Sequence, residues 1–352
     1  MRITANMVTM TRIVLMPIPG YLLYGGADSL LAALALIIVL GLTDWLDGIM
    51  ARREGPSTFG GLLDPMADKI FIAVVYLPLT ERGVIPLTAA VCIFVREFVV
   101  TSLRTSLALR DAPMRTSKLA KYKTGIQMTA VGYVILFTAA PDAWYTWAII
   151  IGVLGIPLGL MIARLARGEK QGPRSSTLLA LMGMAVVSRW RLGVDLSILL
   201  YVLVVTGITL VSGFSYLADA WSALKGKRGS GKELCRFALD GVLVPGAFVL
   251  LLGLYKGFGM SALVILVVTL ELAVGGLTNL LASKHVVPRF RWMAAKSTAQ
   301  LALAFAALAA WHFGGPSLAR FGEACIAASF ALTAAYVVYA FYRHRRSYLG
   351  SF

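Results

Sequence analysis

Eleven runs of apolar residues, each about as long as a bilayer-spanning helix, follow one another along this chain, at roughly 9–25, 30–51, 62–82, 86–109, 120–140, 144–166, 197–221, 236–256, 259–282, 293–313 and 320–343. Runs of that length and number cannot all be buried in a soluble core. They predict an all-α, polytopic transmembrane helical bundle. Composition agrees: 59% of the residues are hydrophobic and 14% charged, with a mean hydropathy of +0.79. A soluble domain is about a quarter charged, so a water-soluble globule and a disordered chain are both excluded.

The charge that remains is lopsided, 33 Lys and Arg against 17 Asp and Glu, a formal +16. The basic residues lie in short segments between apolar runs, at 52–53, 110–123, 164–174, 225–232, 284–296 and 343–346. That distribution marks cytoplasmic loops and disfavours a nucleic-acid binder, whose cations gather on one soluble face. Alternation places the amino terminus inside and the chain outside near Pro141. The return inside by Lys225 asks for three crossings, so the shorter run at 176–190 is read as a crossing too. The start, Met1 through Arg12 to about Tyr24, lacks a small-residue cleavage site and is read as a first membrane segment, not a removed signal. Cys92, Cys235 and Cys325 and the three histidines show no disulfide or metal-ligand spacing.

Four carboxylates break the apolar pattern. Asp44 and Asp47 are three residues apart and Asp64 and Asp68 four apart, so each pair projects from one helix face. A single aspartate at the centre of a membrane helix costs about 2.5–3.5 kcal/mol on insertion scales. Two helices meeting at their cytoplasmic ends would bring all four together, and mutual repulsion then demands cations. All-oxygen ligation suits Mg²⁺ or Mn²⁺, which also take phosphate oxygens. The plainer alternative pairs the carboxylates with Arg52, Arg53 and Lys69. It leaves unexplained the small residues interleaved with them, Gly48, Ala51 and Gly60, which clear room for a ligand beside the backbone, while Arg52 offers a fork for phosphate.

Together these residues read D-x-x-D-G-x-x-A-R, a loop, then G-x-x-x-D-x-x-x-D, and this stretch resembles the signature of the CDP-alcohol phosphotransferase family of integral membrane enzymes. The resemblance implies a six-helix core, usually a homodimer, that transfers a phosphatidyl group from CDP-diacylglycerol to an alcohol and releases CMP. It further implies two divalent cations held by Asp44, Asp47 and Asp64, with Asp68 a ligand or neighbouring general base, and a cytidine diphosphate site formed by Asp44, Gly48, Ala51, Arg52 and Gly60. One departure is visible: seven residues separate Arg52 from Gly60 where the family usually has eight.

Arg96 lies inside the apolar run 91–100, where a cation is expensive; it is either paired locally with a carboxylate or functional. Arg104 follows eight residues later, about 80° around a helix, and Lys121 and Lys123 open the next run, where topology alone would also explain them. As a group these cations suit an acceptor that already bears a phosphate. The strings REFVVTSLR and SKLAKYKTGIQM, the start NMVTMTRIVLMPIP and the segment LVVTGITLVSGFSYL are similar to the phosphatidylglycerophosphate synthase branch of the family. That likeness covers residues 1 to about 222, interrupted between about 142 and 195 by extra membrane sequence. It implies sn-glycerol 3-phosphate as acceptor, held by Arg96, Arg104, Lys121 and Lys123, and a place in the bacterial cytoplasmic (inner) membrane with the site facing the cytoplasm. Another acceptor, such as inositol phosphate or serine, or a non-catalytic transporter or scaffold, remains open at this point.

Beyond a basic linker at 223–232, residues 233–352 form a second membrane domain of four helices. Asp68, Glu97, Lys123 and Gln127 are answered there by Asp240, Glu271, Lys296 and Gln300, with separations matching within two residues at each step. Such spacing arises by chance among apolar helices with basic ends, or it marks a decayed partial repeat that lacks the acidic cluster.

Overall fold

The computed structural model describes residues 4–54, 60–108, 118–168, 173–224, 235, 237–284, 286 and 290–349. Among them it is all helix: α1 (Ala5–Leu15), α2 (Pro17–Leu22), α3 (Ala27–Glu54), α4 (Gly60–Glu81), α5 (Leu87–Ala108), α6 (Lys118–Ala139), α7 (Trp144–Ala166), α8 (Pro173–Leu192) and α9 (Val194–Leu224). A π-helical turn at Leu239–Leu243 then leads into α10 (Val244–Leu254), followed by α11 (Phe258–Ser283), α12 (Phe290–Phe313) and α13 (Pro316–Leu349).

Among the described residues five helices are long and apolar enough to cross a membrane, at Ala27–Arg53, Val194–Ala218, Phe258–Ser283, Trp292–Phe313 and Ser317–Arg345. The first expected segment, 9–25, is not a single helix. It breaks at Pro17, which has no N–H to continue the ladder and instead starts a new helix. The resulting α1 is only 11 residues long, and it turns Thr9 and Arg12 inward, each buried, against α3. The segment 176–190 does form a helix, α8, which packs against α7 and α9. Gly193, with φ of 80°, is the single residue between α8 and α9, a left-handed corner that glycine adopts without penalty.

One apolar cluster runs from Met16 to Ile326 and draws on both ends of the chain. Helix α4 packs on α1 and α11, and α5 packs on α9, α10 and α11. Of the last four helices, α10 and α11 are thus seated against the two helices that carry Asp68 and Arg96, and α12 and α13 pack behind them.

Candidate active site

Asp44 and Asp47 sit one turn apart near the end of α3, with Asp47 4% exposed and the Asp44 side chain about half exposed. Helix α1 supplies their partners. Thr9 Oγ1 donates to Asp47 Oδ2 at 2.8 Å; Arg12 donates to Asp44 Oδ1, and its second terminal nitrogen lies 3.6 Å from Asp47 Oδ2. Sequence reasoning does not place Thr9 or Arg12 in the site. For Arg12 the signal is present, since an arginine inside the 9–25 apolar run is as costly as Arg96 inside its own.

Helix α4 carries Asp64 and Asp68 from its first turns, and Gly60 opens it. Asp68 lines a cavity of about 440 Å³ together with Asp44 and Arg12, while the rest of the wall is mostly apolar, with Leu34, Phe71 and Leu136 among its residues. Glycines open this wall. A Cβ on Gly41, Gly125 or Gly132 would meet nothing within 4 Å, and Gly48, outside this wall and beside Asp47, is likewise open. The charged residues of the wall, Arg12, Asp44 and Asp68, gather at one end, a shape matched to a charged headgroup carrying long chains.

The side chain of Asp64 lies outside the described residues, and among those described no three carboxylate, imidazole or thiolate groups form a ligand set. The donor chemistry nonetheless fits divalent cations. Asp44 and Asp68 line one cavity, Asp47 lies one turn from Asp44, and all three offer hard oxygen donors. Of the cations in the alternative pairing, Arg52 and Arg53 are exposed, and Lys69 donates to Thr101 Oγ1 at 2.7 Å. Ala51 and Gly48 lie on α3 beside Arg52, partly covered.

The second group of expected residues also assembles in part. On α5, Arg96 is 7% exposed; it donates to Glu97 Oε1 at 3.0 Å and to Ser212 Oγ of α9 at 2.9 Å. Glycine at 213 allows this approach, because a Cβ there would lie 2.8 Å from Arg96 Cγ. The local ion pair is therefore present. Arg104 is exposed, and its guanidinium and that of Arg96 each lie 5.7 Å from the centre of the Tyr216 ring, one aromatic face serving two cations. Among the described residues Arg104 makes no hydrogen bond or ion pair. Lys69 lies close enough to Asp68, Arg96 and Arg104 for their charges to act on it, so the acidic and basic clusters adjoin across α4 and α5. The side chains of Lys121 and Lys123, on the first turns of α6, lie outside the described residues.

An apolar cavity ending in aspartates, beside paired guanidiniums, defines a membrane protein built to hold a lipid by a charged headgroup. The family model for CDP-alcohol phosphatidyltransferases matches residues 2–161. The chain is 38% identical over 152 residues to a CDP-diacylglycerol–glycerol-3-phosphate 3-phosphatidyltransferase of Pseudomonas fluorescens, covering 41% of this chain and 76% of that protein. It is 33% identical over 150 residues to the Escherichia coli protein of the same name, 41% of this chain and 80% of the other. It is also 37% identical over 127 residues to the human CMP-forming cardiolipin synthase, 36% of this chain and 41% of that protein. No solved structure matches. The chain belongs to the CDP-alcohol phosphatidyltransferase family, whose members are generally dependent on divalent cations.

Proposed function

We propose that this chain transfers the phosphatidyl group of CDP-diacylglycerol to sn-glycerol 3-phosphate, giving phosphatidylglycerophosphate and CMP, at the cytoplasmic face of a bacterial inner membrane. The single observation that carries the reading is the cavity that runs from apolar walls to Asp44 and Asp68, with two arginines gathered on one ring beside it. Relatives named for this reaction support the choice of acceptor.

Asp44, Asp47, Asp64 and Asp68 are the ligands for two divalent cations, Mg²⁺ or Mn²⁺. When bound, these supply charge neutralisation for the diphosphate and for departing CMP. The remaining work falls to the chain. Arg12 and Thr9 hold Asp44 and Asp47 in place. Gly48, Ala51, Arg52 and Gly60 border the cytidine diphosphate, small residues clearing the space and Arg52 offering its fork to phosphate. Arg96, Arg104, Lys121 and Lys123 hold the acceptor phosphate and point its primary hydroxyl toward the lipid-bearing phosphorus. Asp68 takes the hydroxyl proton as that oxygen bonds to phosphorus, and the bond to the CMP oxygen breaks.

Release of CMP from CDP-diacylglycerol, measured with glycerol 3-phosphate, phosphatidylglycerol, inositol phosphate and serine as acceptors, tests this reading. Glycerol 3-phosphate is expected to stimulate release most strongly; stimulation by another acceptor and not by glycerol 3-phosphate refutes the assignment.

A further inference from the structure

We infer that α10–α13 take, inside the same chain, the place of a second catalytic protomer: the C-terminal region is a degenerate copy seated on α4 and α5 about an internal two-fold axis. The inference is independent of which acceptor the enzyme uses. The family resemblance implies a dimer of two chains, and here one chain supplies both halves of that arrangement.

The repeat spacing makes a geometric claim that packing can test. Glu97 on α5 is matched by Glu271 on α11, 174 residues further on. The same offset pairs Thr101 with Gly275 and Thr105 with Asn279. Across a two-fold, the residues that touch their own counterparts are those on the axis, and both of these pairs touch. Thr105 Oγ1 donates to Asn279 Oδ1 at 2.9 Å, and a Cβ on Gly275 would stand 2.9 Å from Thr101 Cγ2.

Contacts away from the axis come in reciprocal sets, as an isologous interface requires. Helix α4 packs on α11, while α10 and the π turn before it pack on α5. Met66 of α4 faces Gly276 of α11, and Gly241 of the π turn faces Val99 and Ser102 of α5, so the reciprocity holds between helices and brings in Ser102, the position that Gly276 repeats. Internal wiring repeats as well. Gln127 donates to Thr209 of α9 at 3.4 Å, and Gln300 donates to Thr333 of α13 at 2.7 Å. The longer spacing in the first half is taken up by residues 144–192, which carry α7 and α8.

The copy has no counterpart of α1–α3 and so none of Asp44 and Asp47, and arginine (Arg236) stands where the offset from Asp68 to Asp240 would put Asp64. Of the repeated acidic residues, Asp240 stands without counterparts of Asp44, Asp47 and Asp64, and Glu271 is engaged within the copy: it accepts from Lys296 at 2.5 and 2.6 Å, from Gln300 at 2.7 Å and from Thr333 at 3.1 Å. The copy is therefore a partner for the catalytic half and not a second site. Its contribution is positional. Asn279 accepts from Thr105, one turn along α5 from Thr101, which holds Lys69 beside Asp68.

The test uses the full chain in detergent with Cys92, Cys235 and Cys325 replaced by alanine. Thr105→Cys alone and Thr105→Cys with Asn279→Cys are treated with a short thiol cross-linker, and native mass spectrometry is run on the unaltered chain. The single variant is expected to give no band of doubled mass. The double variant is expected to give a cross-linked product of single-chain mass, resistant to maleimide labelling, and the unaltered chain to run at 37.8 kDa. Doubled mass from the single variant, cross-links joining two chains in the double variant, or an unaltered chain that runs as two copies, each overturns the inference.

Discussion

Two guanidiniums lie equally far from the Tyr216 ring, yet replacing them should have different consequences. Arg104 is exposed and, among the described residues, is engaged by the ring alone. Arg104→Gln therefore loses at most a surface cation–π contact, about 0.5–1 kcal/mol, and the melting temperature should barely move. If Arg104 holds the acceptor phosphate, the same change removes a charge-assisted hydrogen bond of about 1.5–3 kcal/mol. At 1.36 kcal/mol per decade that is about a 13- to 160-fold rise in KM for glycerol 3-phosphate. A contact made equally in ground and transition states leaves kcat and the KM for CDP-diacylglycerol near their starting values. Arg96→Gln should add a stability loss, since Glu97 and Ser212 lose a buried partner; breaking a buried charge pair costs about 3–5 kcal/mol. The assay is CMP release against acceptor concentration, with thermal unfolding of each variant in parallel. An acceptor KM for Arg104→Gln within scatter of the unaltered chain refutes the phosphate-binding role.

Asp68→Asn should keep the melting temperature while turnover falls by about 10²–10⁴-fold, the usual contribution of a positioned acid or base; retained turnover in a CMP-release assay contradicts the general-base role. Chelation of divalent cations should abolish CMP release, and Mg²⁺ or Mn²⁺ should restore it, whereas full activity in chelator would remove the carboxylates from metal ligation. Lys296→Met should cost about 3–5 kcal/mol by leaving the Glu271 carboxylate buried with neutral partners only, and Glu271→Gln together with Lys296→Met should recover most of that loss. Denaturant unfolding in detergent reads both.

Run length and periodicity reveal where a helix lies and which residues share its face, and these make the Asp44–Asp47 and Asp64–Asp68 pairs and Arg96 legible in the amino-acid sequence alone. They do not reveal which neighbour a face meets. Ser212 and Tyr216 are ordinary positions in an apolar run until α9 packs on α5. Asn279 looks like a lone polar residue until α11 meets Thr105. Arg12 is open to the reasoning that finds Arg96, but basic residues near an amino terminus also set topology, and that reading absorbs it. Pro17 carries its own signal, because a proline inside an apolar run cannot continue a helix from upstream; averaging hydropathy over the run conceals it. The internal repeat shows the same limit. Spacing suggests two copies, and only the touching of Thr101 with Gly275 and Thr105 with Asn279 turns spacing into an axis.

The most direct test of the central claim is the phosphorus content of the lipid product. Purified chain supplied with CDP-diacylglycerol, glycerol 3-phosphate and a divalent cation should yield CMP and a lipid that mass spectrometry shows to carry two phosphate groups, and Asp68→Asn should yield neither. A lipid with one phosphate group, whether from transfer to an unphosphorylated alcohol or from hydrolysis of the donor, contradicts the account.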